Sequence, residues 1–146
     1  MRRFGAILVV IAAVLVAAVP LASTAGATAA PASCAALSGT LTGTATLSKC
    51  TDPANTGGSG KLVINVKTLV GTVTWNKTGT TTIKLTYAVP KVNKCAKPTI
   101  EVVLGGSVTG GKGAALKSIP AKSKISATAC YGTKTATLLP KTVFTF

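Results

Sequence analysis

The chain has 146 residues, with sixteen Lys and Arg against two acidic residues and no His, for a formal net charge of +14. Without His, and with Asp52 and Glu101 as its carboxylates, the sequence excludes Ser-His-Asp and Cys-His triads and histidine-ligated metal centres, and it argues against a paired-carboxylate site. We therefore expect a single domain with no enzyme activity, no cofactor and no metal site.

The N-terminal segment predicts a signal peptide. Met1–Arg3 is basic and is followed by an apolar run from Phe4 to Val19 and then by small residues, with cleavage candidates at residues 25–29. A membrane anchor is the alternative, but the apolar run is shorter than the roughly 20 residues of a typical span, and no charges follow it. We expect residues 1–29 to be the leader and its cleavage region, and residues 30–146 to be one secreted domain, extracellular or associated with the cell wall.

The charge of this mature segment comes from lysine. Both Arg residues belong to the leader, which leaves fourteen Lys against two acids. The lysines are scattered, and the absence of Arg removes bidentate recognition of phosphate and guanine, so we expect no sequence-specific nucleic-acid binding. Diffuse attraction to anionic cell-wall polymers or to a membrane surface is the expected consequence, screened over about 8 Å at physiological ionic strength.

The first predicted element is a run in which apolar or small residues alternate with Ser and Thr from Leu37 to Leu47. This period of two is typical of a strand that is half buried in an antiparallel sheet. One long strand would separate Cys34 from Cys50 by roughly 50 Å. A hairpin that turns at Leu41–Gly43, with a left-handed Gly43, would place the two Cys opposite each other. We favour the hairpin, although the unbroken alternation also permits one strand.

The same alternation recurs along the rest of the chain. It is visible at residues 62–66, 69–75, 83–89, 100–104 and 143–146, and more weakly at 125–129, with turn signals at 51–60, 76–79, 90–98 and 109–113. No sustained helical stripe is present, and residues 113–118 could form at most a turn of helix. Seven or eight short strands predict an all-β antiparallel fold, and we expect a β-sandwich, immunoglobulin-like or in the form of a small barrel.

The four cysteines predict two disulfides. Cys34, Cys50, Cys95 and Cys130 include no C-x-x-C pair, which argues against a zinc site or a redox motif, and an exported chain enters an oxidising compartment. Three pairings are possible. We favour Cys34–Cys50 from the hairpin geometry, together with Cys95–Cys130.

Two segments need comparison with known active-site patterns. Gly106–Lys112 fits G-x-x-x-x-G-K, but Gly113 follows where a phosphate-binding loop needs Ser or Thr, so we interpret it as a Gly-rich turn. Glu101 lies in the apolar run from Ile100 to Leu104. Alternation points it outward, towards solvent and lysine; an inward Glu101 would instead be a candidate catalyst of a Lys–Asn isopeptide crosslink.

The aromatic residues Trp75 and Tyr87 both fall on the apolar face of their predicted strands. Together they could form a sugar-binding platform. A single Trp on an inward face is more often part of the core, and we favour that interpretation.

Two resemblances follow from these residues. The segment from Cys34 to Gly60, with L-S-K-C-T and a Gly-rich loop, followed by Gly71–Trp75, resembles small exported β-proteins of actinobacteria, a family that implies no particular activity. The composition is also similar to that of neocarzinostatin-type chromophore carriers, which are seven-stranded immunoglobulin-like sandwiches. Those carriers are acidic and their disulfides close short loops, so this chain departs from them in charge and in cysteine spacing.

The sequence thus predicts a secreted, non-enzymatic binding or structural protein that associates with anionic envelope polymers. A small-ligand carrier is the first alternative, and it requires a concave apolar pocket that is open to solvent. A cationic antimicrobial or inhibitor protein is the second. An inhibitor requires a rigid exposed loop, for which Pro90–Pro98 is the candidate.

Overall fold

The computed structural model describes residues 30–40, 43–51 and 57–146. The predicted leader, residues 1–29, lies outside the described residues. In chain order the elements are β1 (Ser33–Gly39), β2 (Thr44–Cys50), β3 (Ser59–Asn65), β4 (Val70–Trp75), β5 (Gly79–Ala88), β6 (Ile100–Gly113), α1 (Ala115–Ser118), β7 (Lys124–Tyr131), β8 (Ala136–Leu138) and β9 (Phe144–Thr145). The four-residue α1 lies within residues 113–118, where the sequence allowed at most a turn of helix.

The strands form a closed antiparallel barrel. Each strand from β1 to β7 pairs with the next one along the chain, and β8 pairs with both β7 and β1, which closes an eight-stranded sheet. The two-residue β9 also contacts β1 and β7. The all-β antiparallel prediction is confirmed. The pairing does not show the predicted sandwich of two packed sheets. One twisted sheet instead continues until its first and last strands pair, which is the small barrel that the sequence also indicated.

The hairpin predicted for residues 34–50 is present. The register pairs Gly39 with Ala45 and Cys34 with Cys50, and the backbone N–H of Thr40 donates to the carbonyl oxygen of Thr44. This geometry excludes the single long strand. Turn residues 41 and 42 lie outside the described residues. The predicted left-handed Gly43 is wrong, because Gly43 does not have a positive φ, whereas Gly39, at the start of the turn, has φ +135°.

Both predicted disulfides are confirmed, and they serve different parts of the fold. Cys34–Cys50 joins two directly opposed residues of β1 and β2, with a Cα–Cα distance of 3.8 Å, and both residues are buried in the core. Cys95–Cys130, with a Cα–Cα distance of 5.6 Å, ties the connection between β5 and β6 to β7. All four cysteines are therefore used.

One end of the barrel, which we call the packed end, is filled by aromatic residues. At this end residues 76–78 and 114–123 connect the strands. Phe146 lies 5.4 Å from Trp75 and 5.0 Å from Phe144 between ring centroids, and all three rings are buried. The indole Nε1 of Trp75 donates a hydrogen bond of 2.8 Å to the hydroxyl of Thr81, which is buried too. The interpretation of Trp75 as a core residue is confirmed.

Strand β6 is longer than the sequence pattern predicted. The expected turn at residues 109–113 is wrong, because β6 continues to Gly113, and Gly110–Gly113 pair with β5. The register shifts beside Thr82, where one extra β6 residue is accommodated in a bulge. A Cβ atom at Gly111 would lie 2.3 Å from the carbonyl oxygen of Thr80, so this glycine permits close approach of the two strands and does not mark a turn.

Candidate ligand cavity

The opposite end of the barrel, which we call the open end, contains a cavity of about 310 Å³. At this end residues 66–69, 89–99 and 132–135 connect the strands. Its lining is almost entirely aliphatic and aromatic, and comes from the ends of β3 to β7: Ile64, Val66, Leu69, Leu85, Thr86, Tyr87, Val89, Ile100, Val102, Leu104 and Tyr131. The cavity is therefore an apolar concavity that opens to solvent at the barrel mouth.

The cavity exists because the two ends of the barrel are filled differently. Alternation along β5 and β6 directs Leu85, Val102 and Leu104 into the barrel, where they are buried and form the floor. The next inward positions towards the mouth carry Tyr87 and Ile100, which are 63% and 45% exposed because no bulky side chain covers them. The packed end has Phe144 and Phe146 in the corresponding role.

Residues 89–99 form one wall of this mouth. Val89, the first residue of this connection, and Ile100, the residue that follows it, both line the cavity. Within the loop the side-chain oxygen of Asn93 accepts hydrogen bonds from the backbone N–H groups of Cys95 and Glu101, at 3.0 and 2.9 Å, and its amide nitrogen donates to the carbonyl oxygen of Thr99. Together with the Cys95–Cys130 disulfide, these bonds hold the loop against the barrel.

Glu101 differs in part from its prediction. Its neighbour Val102 lines the cavity, so Glu101 points to the outer face as expected. The expected exposure is wrong: Glu101 is only 5% exposed, and one carboxylate oxygen accepts the backbone N–H of Lys94 at 2.9 Å. Alternation could not reveal this, because the cover comes from a loop that a distant disulfide holds in place. Glu101 thus helps to fix the wall of the mouth.

Lysine provides the charge of the described surface. All fourteen lysines are exposed. Five of them lie on the three connections at the open end: Lys67, Lys91, Lys94, Lys97 and Lys134. Glu101 is the carboxylate side chain within the described residues, and it is buried against a backbone donor, so the positive charge around the mouth is largely uncompensated.

The residues singled out in the sequence do not all meet at this site. Tyr87 is at the cavity, whereas Trp75 is in the core of the packed end, so a shared sugar platform is not formed. Gly106–Lys112 lies inside β6 and not in a loop before a helix, so it is not a phosphate-binding loop. Of the four cysteines, Cys95 and Cys130 contribute by anchoring the wall of the mouth.

The cavity itself was not predicted from the sequence. A signal was present in the sequence. Every second residue of β3 and of β5 points into the barrel, and Val66 and Val89, which continue this alternation just beyond the strand ends, are apolar and exposed. Such residues at the mouth of a closed barrel mark an unfilled interior. This signal becomes informative only once closure into a barrel is known.

No protein-family model, curated protein or solved structure matches this chain. The resemblances to exported actinobacterial β-proteins and to chromophore carriers therefore stay predictions. Among residues 30–40, 43–51 and 57–146, no helix is both long and apolar enough to cross a membrane.

Proposed function

We propose that this protein is an extracellular, non-enzymatic carrier that holds a small apolar molecule in the open end of its barrel. The observation that carries the proposal is the apolar cavity of about 310 Å³. Small-molecule sites are typically concave, mostly apolar and about 300–1,000 Å³ in volume, and eight-stranded barrels are a common scaffold for one small ligand. The carrier was the first alternative from the sequence, and the cavity now favours it.

The volume of the cavity sets the size of the expected ligand, and its apolar lining sets the binding free energy expected per methylene group. At roughly 30 Å³ per non-hydrogen atom, the volume of a water molecule in the liquid, the cavity takes a compact group of about ten such atoms. Each methylene transferred from water to the apolar lining contributes about 0.8 kcal/mol, which is about fourfold in affinity. Affinity should therefore rise steeply with chain length and stop rising when the cavity is full.

The proposed location rests on the disulfides. Two disulfides in a small all-β protein are consistent with an extracellular protein. Residues 1–29 carry the pattern of a secretory leader, and we propose that they direct export.

A second candidate function is association with anionic cell-wall polymers or a membrane surface, favoured by the fourteen exposed lysines. Binding of this kind is screened by salt, whereas apolar binding in the cavity is not. Retention on purified cell wall at two salt concentrations, with and without lysine acetylation, tests it. Pro90–Pro98, considered above as an inhibitor loop, is assigned here to the wall of the cavity, because Val89 and Ile100 on either side of it line the cavity.

The carrier function is tested by calorimetric titration of the mature protein with n-alkanols from hexanol to dodecanol. We expect affinity to rise about fourfold per methylene and then level off. Two substitutions on β6 form a matched pair: Ile100→Gln changes a lining residue that is 45% exposed, and Val103→Gln changes a residue that is 41% exposed and faces the outside.

We expect Ile100→Gln to weaken decanol binding about tenfold and Val103→Gln to change it less than twofold, because of these two residues only Ile100 lines the cavity. Far-ultraviolet circular dichroism checks that both variants fold. Equal effects of the two substitutions, or affinity that does not depend on chain length, would contradict the proposed carrier function.

A further inference from the structure

The cavity and five of the fourteen exposed lysines lie at the same end of the barrel, and this placement indicates the class of ligand. We propose that the cavity takes the hydrocarbon chain of a single-chain anionic amphiphile, of the kind represented by a fatty acid, with its charged head at the lysine-bearing connections. This inference rests on the proposed carrier function and adds the chemistry of the ligand.

The first part of the argument is the position of the charge relative to the apolar lining. Lys67 follows the lining residue Val66 directly in the chain, and Lys91 is two residues beyond Val89. Lys134 lies on the short connection that follows Tyr131, another lining residue. On each of these three connections, an exposed lysine therefore lies one to three residues after a residue of the apolar lining.

The second part is the absence of competing negative charge. Within the described residues the carboxylate side chain is that of Glu101, and its oxygen already accepts the N–H of Lys94 while the side chain is 5% exposed. No ion pair neutralises a lysine in the described parts of the chain. A cationic ligand would be repelled at this mouth, and a neutral ligand would gain no electrostatic attraction from the lysines.

The third part is the polar chemistry at the mouth. Tyr87 and Tyr131 both line the cavity, and each carries a phenolic hydroxyl that can donate to an anionic oxygen. In the described structure neither hydroxyl makes a hydrogen bond within the protein. Together with the lysines they supply donors at the rim, while the floor of Leu85, Val102 and Leu104 is aliphatic. This distribution complements a molecule with one charged end and an apolar body.

The experiment compares three ligands that share one chain: decanoate, decanol and decyltrimethylammonium, titrated calorimetrically into the mature protein at pH 8. We expect decanoate to bind about tenfold more tightly than decanol at low salt, and decyltrimethylammonium to bind more weakly than decanol. In 1 M salt the advantage of decanoate over decanol should fall to about twofold or less, because the Debye length is then about 3 Å.

Two triple variants with the same loss of charge locate the head group. Lys67→Gln, Lys91→Gln and Lys134→Gln together remove three cations at the open end. The control variant, in which Lys77, Lys112 and Lys117 are changed to Gln, removes three exposed cations at the packed end. We expect the first variant to weaken decanoate binding about 3- to 10-fold and to leave decanol binding within twofold, and the control to leave both within twofold.

The outcomes separate the two proposals. If decanol binds but decanoate has no advantage, or if both triple variants weaken decanoate equally, the anionic-amphiphile inference is wrong and the carrier function stands. If none of the three ligands binds at concentrations below micelle formation or, for decanol, below its solubility limit, the carrier function is wrong and the inference fails with it.

Discussion

The Cys95–Cys130 disulfide gives the sharpest test of how the wall of the mouth is held. The test variant is Cys95→Ala with Cys130→Ala, which keeps the chain otherwise intact and leaves Cys34–Cys50 in place. The disulfide spans 35 residues of sequence and ties the connection at residues 89–99 to β7. Its removal should destabilise the barrel and also loosen one wall of the cavity.

The magnitude follows from the length of the loop that each disulfide closes. In the chain-entropy treatment, a separation of 35 residues corresponds to about 4 kcal/mol at 25 °C, and the 16 residues between Cys34 and Cys50 correspond to about 3 kcal/mol. The shorter disulfide joins strands that are already paired and is buried, so its replacement by Ala also leaves space in the core. Its total cost should approach that of the longer one.

Trp75 makes the measurement direct. It is the one tryptophan of the chain and is 3% exposed, so its fluorescence reports unfolding of the core in guanidinium chloride. We expect the Cys95/Cys130 variant to lose about 4 kcal/mol of unfolding free energy and to bind decanol several-fold more weakly. The matched Cys34→Ala, Cys50→Ala variant should lose similar stability, yet its remaining folded fraction should bind decanol normally. A loss below about 1 kcal/mol for the first variant, or weaker decanol binding in the second only, would refute the reasoning.

Three further substitutions test the packing that places the cavity, each by chemical unfolding monitored through Trp75. Thr81→Val removes the hydroxyl that accepts the indole N–H, and leaving this buried donor unpaired should cost about 1–3 kcal/mol; no loss would mean that the hydrogen bond of 2.8 Å does not contribute. Gly106→Ala should lower the unfolding free energy by at least about 2 kcal/mol, because Gly106 has φ +148° and a Cβ atom there would lie 2.1 Å from the carbonyl oxygen of Lys84. The control is Gly110→Ala, which should change the unfolding free energy by less than about 1 kcal/mol, because no atom lies within 4 Å of a Cβ at that position. Lys122→Gly should add about 1 kcal/mol, since Lys122 is exposed at φ +74°, a conformation that costs a non-glycine residue energy; an unchanged midpoint would contradict this.

The parts of the fold that were predictable are those that local patterns determine. The alternation from Leu37 to Leu47 indicated strand structure, and the distance between Cys34 and Cys50 in an extended chain favoured a turn between them, although the alternation also permitted one long strand. The register that follows is the one observed, with residue 34 opposite residue 50. Once this pair was assigned, Cys95 and Cys130 could only pair with each other.

The parts that were not predictable depend on contacts between distant segments. Strand β8 has three residues, too few to show a period, yet it closes the barrel by pairing with β1 and β7. The glycines at the end of β6 look like turn residues until the close approach of β5 is known. The burial of Glu101 needs a loop that Cys130 holds from the other side, and the cavity needs closure of the sheet. These features arise from tertiary structure, which a single sequence does not display.

The closed sheet has a consequence for behaviour in solution. A threonine- and valine-rich chain of short strands would ordinarily risk stacking with other copies through unpaired strand backbone. Here each of the eight barrel strands has a neighbour on both sides. Exposed lysines spread over the outside add mutual repulsion between molecules. The protein can therefore expose an apolar cavity to water while its closed sheet resists fibril formation.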